Sequence, residues 1–456
     1  MLGAAPGADH SGLEGMMEDQ GTNSSRRRSL LSKLPFDVDF ARSVAVLTSG
    51  GTGAMLITLL LTPIIARLFR PADFGEMAAL LALAQPLVTV ATLQLGKALT
   101  LPKTHEEARA LAHSATTWLL VFCALLTLSM ALLAGPLDGS VAVDLRRWWW
   151  VVPSLVFVLG LTALINGWNT REKQFAIIAT GQVSRASATG ATRIGAGLAL
   201  GSSAAGLITG FLVGALVQLL LIGRRLPADV GAWRPPARFA EVSQPILAYR
   251  DFPLLSMPTT FLRAVAQALP QLALAALYSS AAVGFYAMAV RLVGAPGNVL
   301  AISVRRAFNQ RGARIHQAGR SLRGAWWKST LALAAIGWLP TVGLMVAAPW
   351  LMSALMGETW AGAGAYAQLM AVLLFTQWLS APSSEVLVIL RRQQDPMKVQ
   401  SAVLLGQFVV VGAGAALGVD ALAMVAMLVA VRVLADIALI AAAWRAIATA
   451  PQATAP

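Results

Sequence analysis

Apolar runs of about the length needed to cross a bilayer, roughly 20 residues, alternate with short polar and charged clusters along most of this chain. Reading the runs between the charged breaks predicts twelve spanning helices. The first six cover Ser43 to Ala66, Phe74 to Leu95, Ser114 to Ala134, Trp148 to Asn166, Ile177 to Leu200 and Ala204 to Gly223. After a polar connection, six more cover Pro253 to Tyr278, Val283 to Val304, Ser329 to Leu355, Ala365 to Leu390, Val399 to Leu417 and Ala421 to Trp444. The pattern therefore predicts an all-α integral membrane protein with two six-helix lobes, 43–223 and 253–445. A cytoplasmic linker, 224–252, joins them. The stretches 1–42 and 446–456 are expected to be cytoplasmic tails, the first of them disordered because it is polar and lacks apolar periodicity.

Composition agrees: 57% of residues are hydrophobic, 12% are charged and the mean hydropathy is +0.67, values outside the range of soluble domains. The first apolar run is too long and lacks the cleavage signature for a signal peptide, so it is expected to remain as the first span. The net charge of +14 is explained by topology rather than by nucleic acid, since no polar segment is long enough to fold a basic groove. With the N-terminal tail in the cytoplasm, 26 of the 35 Lys and Arg fall on the inner side, and only Arg67, Arg70, Arg146 and Arg147 fall outside. That asymmetry is the positive-inside pattern. Trp148-Trp149-Trp150 and Trp326-Trp327 stand at predicted helix ends and are expected in the headgroup belt.

The segments Leu68-Phe69-Arg70-Pro71-Ala72-Asp73-Phe74-Gly75-Glu76-Met77-Ala78 and Leu277-Tyr278-Ser279-Ser280-Ala281-Ala282-Val283-Gly284-Phe285-Tyr286-Ala287 align without a gap. Both join the first and second helices of a lobe. Lobes of equal orientation, related by an axis along the membrane normal, would follow.

The run Thr62-Pro63-Ile64-Ile65-Ala66-Arg67-Leu68-Phe69-Arg70-Pro71-Ala72-Asp73-Phe74-Gly75 resembles the first helix and loop of the bacterial polysaccharide flippases, including the O-antigen flippases, of the multidrug, oligosaccharidyl-lipid and polysaccharide exporter superfamily. Leu101-Pro102-Lys103 with Glu106-Glu107-Ala108 is similar to the second connection of that family. Tyr249-Arg250-Asp251-Phe252-Pro253 and Gly284-Phe285-Tyr286-Ala287-Met288-Ala289-Val290-Arg291-Leu292 are similar to the start of its second lobe. The resemblance implies a non-enzymatic flippase in the bacterial cytoplasmic membrane, working by alternating access of the two lobes around a central cavity. Its substrate would be an undecaprenyl-diphosphate-linked oligosaccharide on a capsule, exopolysaccharide or O-antigen pathway, with membrane lipids around it and a polysaccharide polymerase as candidate partner. The fifth span is more polar here than is usual in the family.

Five arginines, Arg185, Arg193, Arg263, Arg291 and Arg432, fall within or near predicted spans, where a central charge costs roughly 2.5–3.5 kcal/mol even on the lenient insertion scale. On the fifth helix Gln182, Arg185, Thr189, Thr192 and Arg193 share an arc of about 100°, and on the seventh Ser256, Thr260, Arg263, Gln267 and Gln271 share about 80°. Two polar stripes on different lobes suit a shared wet cavity. Pro258 and Pro270 on the seventh helix each remove a backbone donor, so bends are expected there. The substrate-binding set expected from these stripes is Arg185, Arg193, Arg263, Arg291, Gln267 and Gln271, with guanidinium groups on the diphosphate. Snorkelling or pairing with acids is the structural alternative, as Arg432 and Asp436 could do at i, i+4. Glu385, Arg432 and Asp436 are therefore candidates for ion coupling or charge pairing.

No cofactor or metal is expected: His10, His105, His113 and His316 lie in the tail or near inner connections, and Gly50-Gly51-Thr52-Gly53 has no P-loop lysine. Two rival functions remain at this level. A cation-coupled multidrug exporter should favour acids and aromatics in its cavity, and a membrane glycosyltransferase should carry a larger extramembrane segment than the dozen or so residues from Gly135 to Arg147.

Overall fold

The computed structural model describes residues 38–133, 145–231, 239–392 and 394–449. Twelve long helices account for most of them. In the first lobe these are α1 (Val38–Leu68), α2 (Pro71–Thr92), α3 (His105–Leu133), α4 (Val151–Arg171), α5 (Phe175–Leu200) and α6 (Ala204–Gly223). The second lobe has α7 (Met257–Leu277, preceded by a π-helical turn Phe252–Ser256), α8 (Ser280–Gln317), α9 (Arg323–Met356), α10 (Ala363–Ile389), α11 (Gln394–Leu417) and α12 (Ala421–Thr449). Ten of the twelve carry the length and apolarity of a membrane span; α5 does not, and α8 carries only a shorter apolar stretch, Ser280–Gly294. Those two are the helices on which Arg185, Arg193 and Arg291 sit. The chain is a multi-pass membrane protein, and its two least apolar long helices are the ones that carry these arginines.

Lipid solvates α3, α9 and α11, which leave Leu125, Leu128, Leu132, Leu339, Val346, Leu405 and Val409 exposed. The helix α2 is instead buried along most of its length, because it packs against α4 in its own lobe and along α7 and α8 of the other. Its start is fixed by Pro71 in the first turn, where no backbone donor is needed, and by Asp73, which accepts from Arg70 N at 3.0 Å and from the Ser202 hydroxyl of the α5–α6 turn. The corresponding start of α8 is capped by Ser279, whose hydroxyl accepts from Ala282 N at 3.3 Å.

The two repeated segments meet each other. A Cβ on Gly75 would lie 1.7 Å from Ser280 O, and one on Gly284 would lie 1.9 Å from Pro71 O. Gly75 aligns with Gly284 and Pro71 with Ser280, so each lobe presents the same atoms to the other across a local two-fold. Only hydrogen on Cα permits this approach. Around it, Trp360 donates through Nε1 to Ala66 O at 2.8 Å, and Arg67 donates to Leu355 O and Ala354 O at 3.2 and 2.9 Å. Phe74 and Phe285, each one residue from the aligned glycine, both meet the Trp360 ring edge-on. The lobes are thus clasped at the side opposite the one on which α1 begins.

Three expectations change. Residues 38–42, assigned to a disordered tail, are the first turns of α1, and α12 runs to Thr449, past the expected end at 445; residues 1–37 and 450–456 lie outside the described ones. The connection 224–252 is not free chain, since Phe239–Ala248 forms a helix against α3 and Ala228–Gly231 forms another short turn there. Asp229 in that turn accepts from His105 Nε2 at 3.0 Å and lies 3.8 Å from Arg109, while its carbonyl accepts from His113 Nε2 at 3.1 Å. The tryptophan runs are also split. Trp150 and Trp327 are exposed, but Trp148 and Trp326 are buried, donating to Glu76 Oε2 at 3.1 Å and Ser383 Oγ at 2.9 Å. An indole N–H in a membrane protein's interior needs such an acceptor, and each of these has one.

Two predictions follow from this packing. Gly75→Val should prevent the lobes from closing at the clasp, which lengthens the distance between spin labels on Leu200→Cys and Trp350→Cys in a Cys123→Ala background; an unchanged distance would show that the crossing is not needed for closure. The docked turn around Asp229 should respond to pH. The His105 hydrogen bond holds the Asp229 carboxyl below its usual range, so the carboxylate's contribution is complete above the unfolded value of about 3.9 and disappears as pH falls through the lowered one. Hydrogen exchange of residues 226–231 should stay protected from pH 7 to about 5, and protection lost within that interval would contradict the assignment to Asp229.

Candidate functional site

Two cavities lie on either side of α2, one mainly within each lobe. One, of about 650 Å³, is bounded by α1, α2, α4, α5, α6 and the α8 residue Arg291. The other, of about 510 Å³, is bounded by α2, α7, α8, α10, α11 and α12. Leu81 and Gln85 of α2 belong to both walls. Among the described residues no carboxylate lines either cavity.

The first cavity is cationic. Arg185, Arg193 and Arg291 all line it, with Gln182 and Thr189 of the predicted α5 stripe beside them. Arg185 donates to Gln218 Oε1 at 3.3 Å and its guanidinium lies 4.7 Å from the centre of the Phe211 ring. Both partners are neutral, so its charge is not cancelled and much of its donor capacity is left over. Arg193 differs. It is 2% exposed, and donates through Nε to Leu207 O at 3.1 Å and through a terminal nitrogen to Met77 Sδ at 2.8 Å. Its stem is lodged against Gly210, where an added Cβ would come within 2.5 Å of Cγ, just as one on Gly214 would come within 1.9 Å of Thr189 Oγ1. Small residues every four positions on α6 therefore admit the polar stripe of α5.

The second cavity sets five amides in a largely apolar wall. Gln267 and Gln271 line it as the α7 stripe requires, joined by Gln85, Gln377, Gln407 and by Arg432. Arg263 lines neither cavity; it is exposed one turn before Gln267 on the same face of α7, nearer the side on which the chain begins. Sequence periodicity put Arg263 opposite Arg185, whereas it is Arg291 that shares a cavity with Arg185.

The acids sit apart from these walls. Asp436 is 9% exposed and accepts from Ser380 Oγ at 2.8 Å and Thr376 Oγ1 at 3.0 Å. Glu385 accepts from Asn309 Nδ2 at 2.7 Å. Ion pairs within 4.0 Å at Asp229, Glu172 and Asp395 lie in connections or at helix ends and do not involve Arg185, Arg193, Arg291 or Arg432. No group of His, Cys, Asp and Glu among the described residues could hold a metal. The residues that periodicity overlooked, Gln85, Gln377, Gln407 and Asn166, are amides set apart from any polar stripe in largely apolar helices. A scan for lone amides in spans, and not only for charges and stripes, would have found them.

The described residues thus form a multi-pass membrane bundle of twelve long helices with two polar cavities, and among them no carboxylate lines either wall. The family model for "polysaccharide biosynthesis protein" matches residues 64–365, and the chain belongs to that family. No curated protein matches it. Among solved structures, the lipid II flippase MurJ in an inward closed conformation is similar with a TM-score of 0.70 over 87% of each chain at 10% identity. An inward-facing multidrug resistance MATE family transporter of the MOP superfamily is similar with a TM-score of 0.60, over 87% of this chain and 96% of that one, at 13% identity. At those identities the likeness is one of fold.

Arg193→Gln removes two charge-assisted bonds at a buried site, so it should cost on the order of 1–3 kcal/mol and lower the amount and melting temperature of the purified protein. Arg185→Gln, whose partners are a flexible amide and a ring face, should leave both nearly unchanged. Equal melting temperatures for the two variants would remove the distinction between them.

Proposed function

We propose that this protein flips a polyprenyl-diphosphate-linked oligosaccharide, in bacteria an undecaprenyl-linked one, across the cytoplasmic membrane with both termini inside the cell. The observation that carries the reading is the convergence of Arg185 and Arg193 from one lobe and Arg291 from the other on a single cavity with no carboxylate in its wall. Such a site favours an anion. A guanidinium presents a planar fork that matches phosphate oxygens and stays charged in an apolar setting. The polyprenyl chain can remain in the bilayer while the head group occupies the cavity.

A cation exporter on the same fold would need acids where this cavity has arginines, and sugar transfer would need catalytic groups that the cavity walls do not offer. Because the phosphate ligands come from both lobes, substrate binding would draw the lobes together on the open side and favour release of the clasp at Gly75 and Gly284, which is alternating access in terms of differential contacts. Arg263, exposed one turn toward the terminal side, would meet the diphosphate on entry. Asp436, held by two hydroxyls beside Arg432, is the acid best suited to couple transport to a proton or sodium ion, ahead of Glu385 with its amide partner. The product would feed capsule, exopolysaccharide or O-antigen synthesis, with a polymerase as the next partner.

In vesicles carrying a lipid-linked oligosaccharide, Arg185→Gln and Arg291→Gln should each reduce flipping at least about tenfold, equivalent to roughly 1.4 kcal/mol of lost phosphate interaction. The lysine variants should keep part of the rate, since they retain charge and lose only the fork. Normal flipping by both glutamine variants at normal abundance would refute phosphate recognition by this cavity, and export of an organic cation instead would establish the rival.

A further inference from the structure

The cavity bounded by α7, α8, α10, α11 and α12 has a chemistry of its own that the phosphate reading does not use. Five glutamines, Gln85, Gln267, Gln271, Gln377 and Gln407, line it, and Arg432 is its single charged residue. Gln407 is 1% exposed, and its Oε1 has no hydrogen-bond partner. That oxygen is closed off from the cavity, so the amides open to it are those of Gln85, Gln267, Gln271 and Gln377. The five amides arise from four different helices, α2, α7, α10 and α11, so no single helical stripe accounts for their meeting.

From this we infer that the amide-lined cavity is a separate subsite for the sugar moiety of the substrate, reading hydroxyl groups while the arginine cavity reads the diphosphate. The inference rests on the flippase reading and divides its site in two. A carboxamide offers two donors and an acceptor, the complement of neighbouring sugar hydroxyls that each donate and accept. A hydrophobic ligand in the same space would meet the Leu, Met and Val of the wall but leave those amides unsatisfied, whereas a sugar ring has apolar faces as well as hydroxyls. With one charged residue present, selection works through hydroxyl positions rather than net charge. The volume of about 510 Å³ falls within the range, roughly 300–1,000 Å³, of pockets that enclose small ligands. Gln85 is exposed on α2 and lines both cavities. It stands where the diphosphate of a bound molecule gives way to its first sugar.

The test uses the full chain in lipid nanodiscs and two probes: lipid-linked oligosaccharide extracted from the cells that make this protein, and undecaprenyl diphosphate without sugar. The wild type should bind the glycosylated probe at least about tenfold more tightly, a modest expectation for several added hydrogen bonds. Gln271→Leu combined with Gln377→Leu should abolish that preference while leaving the affinity for undecaprenyl diphosphate unchanged, and Arg185→Gln should weaken both probes by the same factor. The preserved sugarless affinity shows that the leucine pair is folded. If it is lost, the Gln271→Asn and Gln377→Asn pair decides on the same two probes. Retention of the preference in a folded double variant, or its absence in the wild type, overturns the glycan subsite. Failure of the wild type to bind undecaprenyl diphosphate at all would instead overturn the diphosphate reading on which it rests.

Discussion

Gly75 and Gly284 cross with so little space between their backbones that neither can carry a side chain, and the rest of the assembly is organised around that crossing. It brings α2 against α7 and α8, which makes α2 the common wall of two cavities instead of a lipid-facing helix. Because the two glycines are equivalent in a repeated segment, the contact is nearly symmetric, and a symmetric contact can open without leaving one lobe more exposed than the other. The clasp around it uses carbonyl acceptors for Arg67 and Trp360. These are bonds that water can replace when the lobes part.

Arginine inside a membrane protein has to be solvated by something, and here the solvent is the protein's own neutral polar groups. Arg193 takes a carbonyl and a thioether, and Arg185 takes an amide and an aromatic face. None of these removes the charge. The result is a cavity with a fixed positive potential in a region of low dielectric, where interaction with an anion is far stronger than at a surface. The same logic separates Arg193 from Arg185. Held by two internal bonds, Arg193 also braces α5 against α6, while Arg185 and Arg291 keep more of their donors free.

The glycines of α6 show how local sequence serves this arrangement. Gly206, Gly210 and Gly214 leave room for the α5 side chains Ala196, Arg193 and Thr189 in turn, so the least apolar helix of the lobe is tied closely to one of its most apolar. The turns that close the last hairpin of each lobe use Gly201 and Gly418, both in the left-handed region at φ 74° and 62°. The α5–α6 and α11–α12 hairpins are thus built alike, in keeping with the repeat at Gly75 and Gly284.

By itself the sequence determined the number of long helices, their approximate ends, the two-lobe division and the polar faces of α5 and α7, because the bilayer imposes a length and helical geometry imposes a period, and both are local properties. Gln267, Gln271, Arg185 and Arg193 were legible for that reason. Only the tertiary structure decided that Arg291 and not Arg263 joins Arg185, that Asp436 binds Thr376 and Ser380, that Trp148 and Trp326 turn inward, and that Gln377 and Gln407 share a wall with Gln85. Each of these depends on how far one helix is shifted and rotated against another. That is set by contacts between residues distant in the chain, such as the Gly75–Gly284 crossing, and leaves no periodic trace in any one segment.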